Sequence, residues 1–138
     1  MHDRRRELLE GLLSEIKNLQ VSDLQMVEIY AELTEIAETI FDLRYEEIKT
    51  TKTAPKKVEI DSMNVMGLKS IDYSTRALAI LDIKSGEYLN SIVSLTLTPA
   101  RIYSKLFDKD PAVQASYLEK SVAKYIAAKA AAARDKNE

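Results

Sequence analysis

Residues 21–48 constrain the fold more tightly than any other part of the chain. Met26, Ile29, Leu33, Ile36, Ile40 and Leu43 alternate by three and four residues. That rhythm keeps apolar side chains on one face of a helix packed against another. Tyr30, Ala37 and Phe41 widen the face beyond a coiled-coil seam, which places it in a globular bundle. The start of the helix is also written in the sequence, as Val21-Ser22-Asp23-Leu24-Gln25-Met26. Ser22 can accept from the Gln25 amide while Gln25 reaches back, and Val21 and Met26 can close a hydrophobic staple.

Upstream, Leu8, Leu9, Leu12, Leu13, Ile16 and Leu19 form a second apolar stripe at helical spacing. Two such helices joined by a tight turn predict an antiparallel αα-hairpin. The 138 residues fit one domain, and a chain of that length buries about two-thirds of its unfolded surface without disulfides or metal. The expected fold is therefore all-α, a small helical bundle that opens with this hairpin.

The middle of the chain is less regular. Residues 49–57, KTTKTAPKK, hold no apolar period and read as a linker. Val58 and Ile60 alternate briefly and the pattern is then lost, so 49–70 is expected to be irregular, with at most a short strand or helical turn inside it. Residues 72–97 admit two readings. Ala77, Leu78, Leu81, Tyr88, Leu89, Ile92 and Leu95 line up as helices, with Gly86 as a stop and Glu87 as a restart. Alternatively ALAILDI and YLNSIVSLTLT flank Lys84-Ser85-Gly86-Glu87 as a β-hairpin near 77–97, with Val93, Leu95 and Leu97 alternating, which makes the fold α+β. The alanines weigh toward helix.

Thr98-Pro99 reads as a cap followed by the first helical residue of a short helix ending near Asp108. Asp110-Pro111 repeats the signal. The last helix is expected to bury Val113, Leu118, Val122, Tyr125 and Ile126. Its end, 127–138, is Ala-rich, a strongly helix-forming tail with little to bury and prone to fray.

Charge is segregated along this frame. Residues 28–47 carry seven acids and one base, and Glu28, Glu32, Glu35, Glu38, Asp42 and Glu46 follow one another by three or four residues opposite the apolar seam. Like charges at that spacing cost about 0.2–0.5 kcal/mol per pair. The face is either solvated or a docking surface for a basic partner, including this chain's own Lys49, Lys52, Lys56 and Lys57. Arg4, Arg5 and Arg6 open the first helix, where the dipole disfavours cations. With Lys52, Lys56, Lys57, Arg101 and Lys105, they are candidate contacts for phosphate or an acidic partner.

Catalytic constellations are hard to assemble. There is no cysteine, and the single histidine, His2, adjoins the initiator Met. The three glycines, Gly11, Gly67 and Gly86, are too far apart for a phosphate-cradling loop. No catalytic residue, metal site, cofactor or small-molecule substrate is expected, and the chain reads as non-enzymatic. No apolar run approaches the roughly 18 residues of a membrane span, and the expected location is cytoplasmic.

The segments RRELLEGLLSEIKNLQ and ELTEIAETIFDLRYEEI, about a third of the chain, resemble the helical domain of GINS replisome subunits. The likeness rests on Ile36, Ile40, Leu43, Arg44 and Ile48, although Glu47 stands where that family has Lys and its small β-domain is not evident. The basic segments leave open a nucleic-acid-associated protein, such as a viral DNA-packaging or replication accessory factor, which the resemblance implies could be GINS-like. The segregated charge points first to a different role. That role is a helical assembly or adaptor protein, packing against itself or another protein through homo- or hetero-oligomeric contacts.

Overall fold

The computed structural model describes residues 2–16, 21–82 and 88–136. Five helices occupy them: α1 (His2–Ile16), α2 (Asp23–Thr50), α3 (Lys57–Asp82), α4 (Leu89–Tyr103) and α5 (Pro111–Lys136). No strand occurs among the described residues, so the fold is all-α. The turn residues Lys84 to Glu87, and Leu19 of the first stripe, lie outside the described residues.

α2 begins as its sequence requires. Ser22 Oγ accepts from the Gln25 amide at 3.2 Å, and Gln25 Oε1 accepts from the Ser22 amide at 3.1 Å, a reciprocal cap that satisfies two otherwise orphaned donors. At the other end Thr50 and Thr51 turn their hydroxyls onto the carbonyls of Glu46 and Glu47.

The irregular segment expected over 49–70 is a correction: only Thr51–Lys56 interrupts two long helices. The helical stripe of α3 escapes notice because its buried positions include Gly67, Ser70, Ser74 and Ala77 beside Met63, Met66, Ile71 and Leu81. The hydroxyls are accommodated in the core by hydrogen bonds to backbone carbonyls. Ser70 Oγ donates to the Thr34 carbonyl and Ser74 Oγ to the Ile71 carbonyl, each at 2.8 Å. Gly67 admits Phe41, whose ring lies 2.9 Å from where a Cβ would stand.

The β-hairpin alternative is excluded by α4. Thr96 donates to the Ile92 carbonyl at 2.7 Å, the back-bonding that lets hydroxyl side chains sit inside a helix. Nor does Pro99 start a helix. It lies inside α4 and is fully buried, despite the backbone bond that proline removes there.

Asp110-Pro111 does open α5, where Asp110 Oδ1 accepts from the Ala112 amide at 2.9 Å. The buried face of α5, however, is not the expected one. Leu118, Val122, Tyr125 and Ile126 are exposed, while Ser121, Ala128 and Ala131 are buried. Small residues permit a close approach to α4: Ser121 Oγ reaches the Ala100 carbonyl at 2.7 Å. The alanine-rich segment, expected to have little to bury, packs through Ala128 and Ala131.

Helices pack chiefly on their neighbours in sequence, α1 on α2, α2 on α3, α3 on α4 and α4 on α5, with a small contact between α2 and α4. This is the connectivity of a linear helical array. Two apolar clusters run through it. Phe41, Met66, Ile102 and Leu106 belong to one, and Leu33, Ala77, Leu81 and Leu95 to the other.

Candidate functional site

α2 presents its acids in two groups. Glu32, Glu38 and Asp42 are engaged by bases of other helices. Arg5 Nη2 of α1 lies 2.8 Å from Glu32 Oε2. Arg101 of α4 makes a bidentate pair with Glu38, Nε to Oε2 and Nη2 to Oε1, both at 2.9 Å. Lys105 Nζ, just beyond α4, lies 3.3 Å from Asp42 Oδ1 and above the Tyr45 ring. Glu38 is the most enclosed of these acids, its side chain 14% exposed, and two-pronged pairing is the strongest geometry available to it. Its carboxylate, bonding Arg101 and attracting its charge, holds the guanidinium above its ordinary pKa against the opposing effect of burial. Tyr125 of α5 is near enough to act in the same direction.

Glu28, Glu35 and Glu46 form the second group, exposed and in no ion pair among the described residues. Glu28 and Glu35 stand on a groove of about 430 Å³ between α2 and α4. Val27, Ala31 and Leu95 supply its apolar lining, and Asn90, Ser91 and Ser94 its polar lining on the α4 side. Sequence reasoning did not reach the α4 wall. Read as a helix, Asn90, Ser91, Ser94 and Thr98 share one polar face, but the strand-like composition of IVSLTLT hid it.

The candidate cations do not converge. Arg4 is exposed, whereas Arg5, Arg101 and Lys105 meet carboxylates of α2. Arg6 is half-buried, its Nη1 donating to Met66 Sδ at 3.3 Å and its Nε enclosed without a partner. Lys52, Lys56 and Lys57 are exposed on the α2–α3 connection and the first residue of α3.

Two further features lie away from the acidic face. Tyr73 donates to Glu10 Oε1 at 2.6 Å, and burial, then that carboxylate, push the phenol pKa well up. A second cavity, about 750 Å³, opens at the α2–α3 connection and is lined by Tyr45, Ile48, Ile60, Met63, Leu106 and Phe107 among others. Asn64 bonds both the amide and the carbonyl of Phe107, fixing one wall. Among the described residues no three acids or imidazoles gather as a metal site, and no helix is long and apolar enough to cross a membrane.

The fold and this face define a class: a linear helical array with an acidic groove between non-consecutive helices. The family model described as KIF-1 binding protein C terminal matches residues 1–138, and the chain belongs to that family. It differs from the replisome subunits that the first two helices resemble, and it spans the whole chain rather than a third of it. No curated protein and no solved structure matches the chain.

Proposed function

We propose that this protein is a non-enzymatic adaptor that receives a basic segment of a partner protein in the groove between α2 and α4. One observation carries the reading. Glu28 and Glu35, two exposed acids of α2 with no ion partner among the described residues, stand on that groove, while neighbouring Glu32 and Glu38 are matched by Arg5 and Arg101. Membership of a family named for a KIF-1 binding protein supports a protein partner, with KIF-1 as the first to try. The exposed carboxylates steer and orient a basic segment, and the apolar lining at Val27, Ala31 and Leu95 takes its anchoring side chain.

Nucleic-acid association is less well supplied, since it is left with Arg4, Lys52, Lys56 and Lys57 once the paired and half-buried cations are set aside. As part of the same proposal the adaptor works in the cytoplasm.

The test is Glu28→Lys with Glu35→Lys, measured by calorimetric titration against recombinant KIF-1. Both side chains are exposed and, among the described residues, in no ion pair, so the fold is retained. The expected loss of affinity is about tenfold, equivalent to ~1.4 kcal/mol, and it shrinks at high salt. An affinity identical to that of the unaltered protein overturns the groove as the docking site. Reversing Glu32 or Glu38 is the wrong experiment, because each ties α2 to another helix.

A further inference from the structure

The exposed stripe of α5 is unlike a solvated helix face. Leu118, Val122, Tyr125 and Ile126 are 48%, 57%, 44% and 63% exposed, and they recur at the three- and four-residue spacing of a packing ridge. Among the described helices α5 packs on α4 alone, and its other side carries an apolar ridge beside its small-residue seam. Such a patch marks an interaction surface.

The arrangement of charge selects the occupant. The ridge holds no carboxylate except Glu119 at its edge, and it ends at Lys129. A basic segment of the kind the α2–α4 groove favours therefore finds little counter-charge there. A second copy of α5 fits better. Turned antiparallel about a two-fold axis beside Val122, the two helices place Val122 against Val122 and Leu118 level with Ile126. Glu119 comes level with Tyr125, and Lys129 level with Ala115. Apolar groups meet apolar groups, a carboxylate meets a phenol, and the lysine meets a methyl group. Lys120 and Lys124 share a level but fall on the far side of the helix, so no like charges oppose each other on the ridge. The pattern is self-complementary, as a two-fold interface requires.

We propose that this face of α5 is a homodimer interface, with two chains joined antiparallel through Leu118, Val122, Tyr125 and Ile126. The interface is separate from the acidic groove, whose lining includes none of these four residues. A dimer presents two grooves to a partner and gains avidity without any new contact.

The absence of cysteine from the chain makes the test direct. In Val122→Cys the two thiols meet at the axis, and mild oxidation is expected to give a disulfide-linked dimer. Asp72→Cys, on the exposed side of α3, is expected to form no disulfide-linked dimer under the same conditions. In parallel, sedimentation equilibrium of the full chain should show a reversible monomer–dimer exchange. Val122→Asp is expected to weaken it by about tenfold or more with helical circular dichroism unchanged, because Val122 is largely exposed in the single chain. A monomer at every concentration overturns the proposal, as does open-ended association or a dimer indifferent to Val122→Asp. These readouts are masses, so they stand or fall independently of KIF-1 affinity and of the Glu28 and Glu35 variants.

Discussion

Two glycines sit inside helices, and the packing gives them opposite roles. A Cβ at Gly67 comes within 2.9 Å of the Phe41 ring and of Ile102 Cγ2, whereas one at Gly11 has nothing within 4 Å. Phe41 and Ile102 are fully buried and have nowhere to retreat. For Gly67→Ala the helix-propensity gain of about 1 kcal/mol competes with overpacking that costs about 1–3 kcal/mol. Crowding wins, because neither buried neighbour can shift, and a net loss of up to about 2 kcal/mol is expected. Gly11→Ala meets no crowding and is expected to stabilise α1 by up to about 1 kcal/mol. Urea unfolding of both variants checks the pair, and a shared sign would contradict the close approach at Gly67. Tyr73 makes a second prediction at this scale. Its folded-state pKa is raised by burial and by Glu10, so the protonated phenol favours the folded state. That contribution is fully present below the ordinary tyrosine pKa near 10 and is lost as pH rises through the folded value. Stability should fall across that alkaline window, and less steeply in Tyr73→Phe, as read by Tm against pH.

Among elements, α4 meets α2 through an ion pair as well as apolar side chains, and α5 through small side chains. Replacing Glu38 with Gln leaves Arg101 bonded to a neutral amide in a half-enclosed site. Hydrogen bonds to charged groups contribute about 1.5–3 kcal/mol, and partial exposure of Arg101 reduces this, so a loss of about 1–2 kcal/mol in denaturant unfolding is expected. On the other side of α4, Ala128→Leu forces the seam apart and should cost about 1–3 kcal/mol, while Ile126→Ser, on the exposed ridge, should be close to neutral for the isolated chain. The reverse order would mean that α5 packs by the large apolar face its sequence first presents. These elements also show where the sequence is legible. α2 could be read to the residue because its cap and its seam agree. α3 could not, because Gly67, Ser70 and Ser74 occupy core positions and satisfy themselves with backbone partners. α4 was ambiguous because its threonines favour strands until their hydroxyls bond back along the helix. The acidic face was visible as charge, but Arg5 and Arg101 reach it from 27 and 63 residues away, a distance that only the tertiary fold closes. The groove's α4 wall was hidden for the same reason.

The whole molecule is held together unevenly, and its array connectivity says how it should open. α2 and α3 share the main apolar clusters, with Ile102, Leu106 and Leu95 supplied from α4 and its end. α5 contributes only a partly buried Tyr117 to them and leans on α4 through Ser121, Ala128 and Ala131. α1 adds Leu9 and Leu13 from its edge, with surface ion pairs from Arg5 and Glu10 that are worth about 0–1 kcal/mol each. In a linear array each layer is stabilised by its own neighbours, so α1 and α5, which add least to the apolar clusters, have the least to lose by detaching. Native-state hydrogen exchange should therefore show α1 and α5 opening by sub-global steps, well below the free energy at which the α2–α3 amides exchange. Uniform protection through all five helices would instead mean one cooperative unit, with the α4–α5 seam contributing far more than its small side chains imply. Concentration separates the two origins that protection in α5 can have. An α5 secured by α4 alone exchanges at the same rate in dilute and concentrated solution. An α5 covered by a second copy exchanges more slowly as concentration rises, because mass action then favours the bound form. That slowing should be confined to α5 and the neighbouring turns of α4, and it should disappear in Val122→Asp.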